Sequence, residues 1–84
     1  MLGTSRELDG AAWGAQIAQW RAVRGYTQRQ AAERAGVSQG TWCAAERGLR
    51  PVRWVTLARV ALALGVSMDE LRRGPVGGRG GLGQ

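Results

Sequence analysis

Residues 27–48, TQRQAAERAGVSQGTWCAAERG, decide the fold of this chain. Thr27 is followed three residues later by Gln30, which is the spacing of a capping box. In that arrangement the hydroxyl and the amide side chains each satisfy a backbone N–H that the helix leaves unpaired. A helix is therefore predicted to begin at Gln28 and to end before Gly36, because glycine readily adopts the left-handed conformation that stops a helix.

A second helix is predicted directly after this turn. Ser38 can cap it, Trp42 and Ala45 lie three residues apart on its apolar face, and Gly48 marks its end. The residues on its outward face are then Gln39, Gly40, Cys43, Ala44 and Arg47. Two short helices joined by a tight turn form a helix-turn-helix, a motif that typically reads DNA.

The order and spacing of several short motifs resemble the Cro/phage-repressor, or XRE, family of helix-turn-helix domains. These motifs are Thr27-Gln28, Ala31-Ala32, Gly36-Val37-Ser38, Glu46-x-Gly48, Pro51, Leu64-Gly65-Val66-Ser67 and Asp69-x-Leu71. The resemblance covers about residues 13–73 and implies an all-α, compact five-helix repressor-like domain. It also implies a transcriptional regulator that binds double-stranded DNA.

The chain is expected to divide into three parts. Residues 1–8 are predicted to be a flexible arm, residues 9–73 the helix-turn-helix domain, and residues 74–84 a disordered Gly/Arg tail, in which six of eleven residues are glycine. The remaining helices are predicted from Asp9, as the cap, to Arg24, from about Arg53 to Leu64, and from Met68 to Arg73. No strand is predicted.

The predicted core has an unusual distribution of volume. Ala31 and Ala45 are small where the family usually has larger apolar residues. The indoles of Trp42 and Trp54 are therefore expected to fill the space, since cores tolerate redistribution when total volume is kept. The apolar faces are expected to include Trp13, Ile17 and Trp20 on the first helix and Trp54, Leu57, Val60, Ala61 and Leu64 on the fourth.

The composition excludes several classes of protein. The chain has no His and one Cys, so it lacks the residues for the usual zinc sites, for a disulfide or for a His-activated nucleophile. No enzyme, cofactor or metal site is therefore predicted. The longest mainly apolar run, residues 54–66, is too short to cross a bilayer, and the N-terminus does not resemble a secretory signal. A cytoplasmic protein without membrane contacts is expected.

The charge favours a nucleic acid as the partner. Twelve Arg, with no Lys, against six acidic residues give a formal net charge of +6. Guanidinium groups bind phosphate and guanine in a bidentate manner. A bias towards GC-rich codons explains the choice of Arg over Lys equally well, so the net positive charge is the stronger indication.

The resemblance assigns DNA contacts to particular residues, with the second helix of the motif in the major groove. Base contacts are expected from Gln39, whose amide can pair with adenine, and from Gly40, Cys43 and Ala44. Phosphate contacts are expected from Gln28, Arg29, Thr41, Arg47, Arg50 and Arg53. The Gln28 side chain is also expected to support Gln39. Arg21 and Glu46 match positions that form a partly buried ion pair in the family, which orients the helices more than it stabilises them.

Two functions stay open on the sequence alone. The first is a repressor that binds a two-half-site operator as a homodimer, because one bidentate base contact, worth roughly 1–3 kcal/mol of discrimination, selects sites poorly. The second is a protein-interaction module on the same scaffold, an antitoxin or an adaptor with a protein partner, since Gly40, Cys43 and Ala44 leave a smooth surface. A dimer is expected to use exposed apolar residues of the last two helices, namely Val66, Met68 and Leu71.

Overall fold

The computed structural model describes residues 7–8, 10–49 and 51–75. Within these residues the helices are α1 (Gly10–Arg24), α2 (Gln28–Ala35), α3 (Gln39–Arg47), α4 (Trp54–Leu64) and α5 (Met68–Arg73). The predicted all-α, five-helix class is confirmed. The predicted cap Asp9, the predicted phosphate contact Arg50, and residues 1–6 and 76–84 of the predicted arm and tail lie outside the described residues.

The ends of α2 and α3 follow the chemistry that their sequence predicts. The Thr27 hydroxyl accepts the backbone N–H of Gln30 at 3.0 Å, and the Thr27 N–H donates to Gln30 Oε1 at 2.9 Å, which completes the capping box. Ser38 Oγ accepts the backbone N–H of Thr41 at 3.0 Å. Gly36, with φ of 73°, lies in the left-handed region and ends α2. The boundaries of both helices of the motif are therefore set locally.

A two-residue antiparallel pair, β1 (Glu7–Leu8) and β2 (Val52–Arg53), joins the N-terminal segment to the loop before α4. The prediction of no strand is wrong at this point, because so short a pairing of distant segments leaves no period-two pattern in the sequence. Arg53 adopts an extended conformation, with φ of −73° and ψ of 145°, so α4 begins one residue later than predicted.

The core is built around the indole of Trp42, which is completely buried beside Ile17 and Leu57. The predicted burial of this residue is confirmed. Trp54, by contrast, keeps 50% of its surface exposed, so the prediction that it fills the core is wrong. Val52 of β2 enters the core instead, and Trp54 is placed at the outer edge of the first turn of α4.

Helix α5 folds back onto α1. Its cap Ser67 accepts the N–H of Glu70 at 3.0 Å, and the indole N–H of Trp20 donates to the Glu70 carbonyl at 3.1 Å. As a result Leu71 is completely buried, and Val66 and Met68 pack partly buried against the core. The prediction that these three residues form an exposed dimer surface is therefore wrong for Leu71, because the turn at Ser67 directs it into the core of its own chain.

Helices α1 and α3 approach each other more closely than side chains would allow. A Cβ atom on Gly14 would lie 2.6 Å from the Glu46 carbonyl oxygen and 2.9 Å from that of Ala45. At Gly48, which follows α3, a Cβ atom would lie 2.7 Å from the Gly10 carbonyl oxygen. Glycines on both sides of the contact therefore bring the end of α3 directly against the backbone of α1.

Candidate nucleic-acid interface

The outward face of α3 presents small and polar side chains. Gln39, Gly40, Thr41, Ala44 and Arg47 are all exposed. The opposite face buries Trp42 and Ala45 in the core. The Thr41 hydroxyl accepts a hydrogen bond from Ser38 Oγ at 2.9 Å, so its side chain is already oriented by the cap of the helix. The helix thus turns one face wholly to solvent while the other anchors it.

A groove runs along this face, between α3 and the start of α4. Its walls come from Gly40, Thr41, Ala44 and Ala45 on one side and from Pro51, Val52, Arg53 and Thr56 on the other. The lining contains one cation, Arg53, and no carboxylate. The groove is open because positions 40 and 44 carry no large side chain. Thr56 belongs to this surface although sequence reasoning missed it, since its place depends on how α4 packs against α3.

Glu46, the second-to-last residue of α3, is the centre of a polar cluster. Its carboxylate accepts hydrogen bonds from Arg21 (Nε to Oε2, 2.5 Å, and Nη2 to Oε1, 3.2 Å), from Gln28 (Nε2 to Oε1, 2.9 Å) and from Trp42 (Nε1 to Oε2, 2.7 Å). The side chain of Glu46 is 8% exposed and that of Arg21 23%. Arg21 also donates to the Tyr26 carbonyl at 2.9 Å. The cluster therefore ties α1, α2 and α3 together through one carboxylate.

The cluster keeps Glu46 ionised. Burial alone would raise the pKa of this carboxyl, but the hydrogen bonds from Arg21, Gln28 and Trp42 outweigh burial and hold the pKa below its usual value. The same contact raises the pKa of Arg21. The only acidic residue of α3 is thus paired with a guanidinium beneath the helix, and no carboxylate is exposed on its outward face.

The side chains of Gln28 and Cys43 contact each other within the chain. The Gln28 amide donates from Nε2 to Glu46 and accepts at Oε1 from the Cys43 thiol, at 3.0 Å. The side chain thus supports Cys43 and Glu46 and not Gln39, contrary to expectation, because both ends of the amide meet partners further along α3. Cys43 is half-buried, with its sulfur turned towards α2.

The arginines assigned to phosphate contacts are exposed but differ in their surroundings. Arg29 lies near Glu33, one turn along α2, with 3.6 Å between Nε and Oε2. Arg47 and Arg53 have no carboxylate within 4.0 Å among the described residues. Arg59, which sequence reasoning did not assign, donates to the Gly36 carbonyl at 3.2 Å and so braces the turn of the motif.

Neither a metal site nor a membrane span is found in the part of the chain that the structure describes. No group of three or more His, Cys, Asp or Glu side chains there could hold a metal ion. Nor does any helix in the same residues have the length and apolar character needed to cross a membrane.

A protein family described as "Helix-turn-helix domain" matches residues 12–74 of the chain. The match spans most of the sequence and all of α2 to α5. The chain therefore belongs to the helix-turn-helix domains of the Cro/phage-repressor-like (XRE) kind, as the sequence motifs predicted. The family and the matching structures are those of transcription regulators and not of enzymes.

Several solved structures share this fold. ClgR, the clp gene regulator from Corynebacterium glutamicum, is 39% identical with a TM-score of 0.70, over 76% of this chain and 83% of that chain. C.AhdI, a restriction-modification controller protein from Aeromonas hydrophila, is 28% identical with a TM-score of 0.70, over 75% and 96%. SinR, a master regulator for biofilm formation solved in complex with DNA, is 34% identical with a TM-score of 0.64, over 69% and 94%. A search of curated proteins gave no significant match.

Proposed function

We propose that this protein is a sequence-specific DNA-binding repressor that inserts α3 into the major groove of a two-half-site operator. The observation that carries the proposal is the contrast between the two faces of α3. Its one carboxylate is neutralised beneath the helix by Arg21, while its outward face is open, free of exposed acids and flanked by Arg47 and Arg53. Such a surface suits duplex DNA, because DNA is a polyanion and its sequence is read at the base edges exposed in its grooves.

Base readout falls to the first turns of α3. Gln39 is exposed, and its side-chain amide can offer a donor and an acceptor together to adenine N6 and N7. Gly40 permits close approach of the backbone, and the Ala44 methyl group is suited to contact a thymine methyl. These contacts are few, so two copies on two half-sites would raise the specificity of the complex.

Phosphate binding falls to the cations around this face. Arg47 at the end of α3, and Arg53 before α4, have no competing carboxylate nearby in the described residues, so their charges are available to phosphates. Gln28, Arg29 and Thr41 complete the set among the described residues, and Arg50 stays a prediction from the sequence. Occlusion is the mechanism of repression that follows, because the bound protein covers promoter DNA and denies it to the polymerase.

The proposal is tested by the salt dependence of duplex binding. Fluorescence anisotropy with a labelled duplex should give a slope of log K against log [NaCl] of about −0.9 for each phosphate neutralised. Arg47→Ala should reduce the magnitude of this slope by roughly 1 and weaken binding to all sequences alike. Arg73→Ala is the matched control, because it removes the same charge from α5, which packs on α1 and α4.

The competing function has a different result in the same experiment. A protein-interaction module that uses the groove beside Gly40 and Ala44 would bind duplex DNA weakly, and Arg47→Ala and Arg73→Ala would have equal effects through net charge alone. Equal effects of the two variants would therefore contradict the proposed DNA-binding face.

A further inference from the structure

The side-chain amide of Gln28 bridges α2 and α3 at two points. Gln28 is the first residue of α2, and its Nε2 donates to Glu46 Oε1 at 2.9 Å. Its Oε1 accepts from Cys43 Sγ at 3.0 Å. Cys43 and Glu46 are three residues apart on α3, so they lie on the same side of that helix, one turn from each other. The amide thus spans one turn of the recognition helix.

The partners of the amide allow one orientation. The Glu46 carboxylate can only accept a hydrogen bond, so it must face the Nε2 end. The thiol of Cys43 donates, so it faces the Oε1 end. Reversing the amide would set its oxygen against the carboxylate and leave only a weak hydrogen bond from Nε2 to the sulfur of Cys43. The carboxylate of Glu46 therefore decides which way the amide of Gln28 points, and the Cys43 thiol donates to the oxygen that this orientation presents.

We propose that Gln28 is a positioning residue that fixes the rotation of α3 through its two hydrogen bonds, one to Glu46 and one to Cys43. Two attachment points on one side of a helix restrain its turning about its own axis. The restrained helix presents Gln39 and Ala44 at a constant angle to a duplex. This inference rests on the proposed DNA-binding function and assigns Cys43 no direct contact with DNA.

A double-mutant cycle on DNA binding tests the proposal. The variants are Gln28→Ala, Cys43→Ala and the two combined, measured on one duplex at fixed salt. Loss of one such hydrogen bond should raise Kd roughly two- to tenfold in Cys43→Ala. The same substitution should change Kd little in the Gln28→Ala background, because the amide through which Cys43 acts is already gone.

Two further variants separate positioning from contact. Cys43→Ser keeps a donor at this position and should bind DNA nearly as the unaltered protein does, whereas a base contact by sulfur would be changed. Arg29→Ala, at the exposed neighbour of Gln28, should combine multiplicatively with Cys43→Ala because Arg29 acts independently. Circular dichroism at the binding temperature verifies that each variant is folded.

The outcomes distinguish this inference from the proposed function. If the unaltered protein binds DNA and the effects of Gln28→Ala and Cys43→Ala multiply, the two residues act separately and the inference is overturned. If the unaltered protein shows no salt-sensitive binding at all, the proposed function is overturned and the inference with it. Non-multiplicative effects together with rescue by Cys43→Ser support the positioning role.

Discussion

Glu46 shows how much of the interface depends on a single side chain. Arg21, Gln28 and Trp42 each donate to its carboxylate. The Arg21–Glu46 pair follows from the family resemblance. The hydrogen bond from Trp42 to Glu46 does not follow from the resemblance. Helical periodicity places the indole on the buried face, but it does not predict the direction of the indole N–H. The sequence therefore predicts the pair but not the cluster around it.

Replacing Trp42 with Phe should separate the packing of the ring from its hydrogen bond. The indole N–H lies 2.7 Å from Glu46 Oε2, and losing a hydrogen bond to a charged group costs about 1.5–3 kcal/mol. Trp42→Ala, which also leaves a cavity, should cost roughly 3–5 kcal/mol. Urea unfolding measures both. Trp54→Phe, at the half-exposed indole, is the control and should stay within about 0.5 kcal/mol.

Glu46→Gln should destabilise the protein at neutral pH and much less in acid. The folded state lowers the pKa of Glu46, so its contribution is complete above the unfolded pKa of about 4.3 and is lost as the pH falls through the lower, folded pKa. Removing one partner of a buried pair costs up to roughly 3–5 kcal/mol, and less here because Arg21 is partly exposed. Urea unfolding of both proteins at pH 7 and pH 3 is the check. An equal difference in stability at the two pH values would refute the assignment.

The ends of the helices are predicted well from the local sequence. Capping residues and left-handed glycines set the ends of α2 and α3 at the predicted positions, since these interactions involve neighbours in the chain. The β1–β2 pair and the close contact of α1 with α3 were not predictable in this way. From the sequence, Gly10 and Gly14 indicate only weak helix formation. The structure places Gly14 against the backbone of Glu46, and Gly10 against Gly48.

Gly14→Ala should destabilise the domain, although alanine favours a helix by about 1 kcal/mol over glycine. The new methyl group would meet two carbonyl oxygens within 2.9 Å, so α1 and α3 would have to separate. Gly40→Ala is the matched control, because the nearest atom to its Cβ is 3.9 Å away, and it should stabilise by up to about 1 kcal/mol. The midpoint of thermal unfolding of both variants is the measurement. A Gly14→Ala variant that is more stable than the unaltered protein would show that α1 and α3 are not in such close contact.

Across the whole molecule, the sequence only partly indicates which large apolar residues are buried and which are exposed. Leu71 is completely buried, whereas Leu62 is 82% exposed on α4. Periodicity predicted the buried stripe of α4 correctly apart from Trp54. It did not predict the burial of Leu71, because α5 has only six residues and its direction depends on packing against α1.

Replacing Leu71 or Leu62 with alanine should therefore change the free energy of unfolding by very different amounts. Leu71→Ala should cost roughly 2–5 kcal/mol through loss of buried contacts. Leu62→Ala should stay within about 0.5 kcal/mol, as expected for a surface position. Urea unfolding gives the free energies, and sedimentation gives the oligomeric state. A stable Leu71→Ala variant with an altered oligomeric state would show that this residue forms an interface between copies.

Selection from a pool of random duplexes, with the unaltered protein and with Gln39→Ala, measures whether the outward face of α3 reads DNA. We expect enrichment of a sequence with two half-sites. In Gln39→Ala we expect the preference to be lost at one position of each half-site and retained at the flanking positions. If the unaltered protein enriches no sequence, or if the preference is unchanged in Gln39→Ala, this face of α3 does not read DNA as proposed.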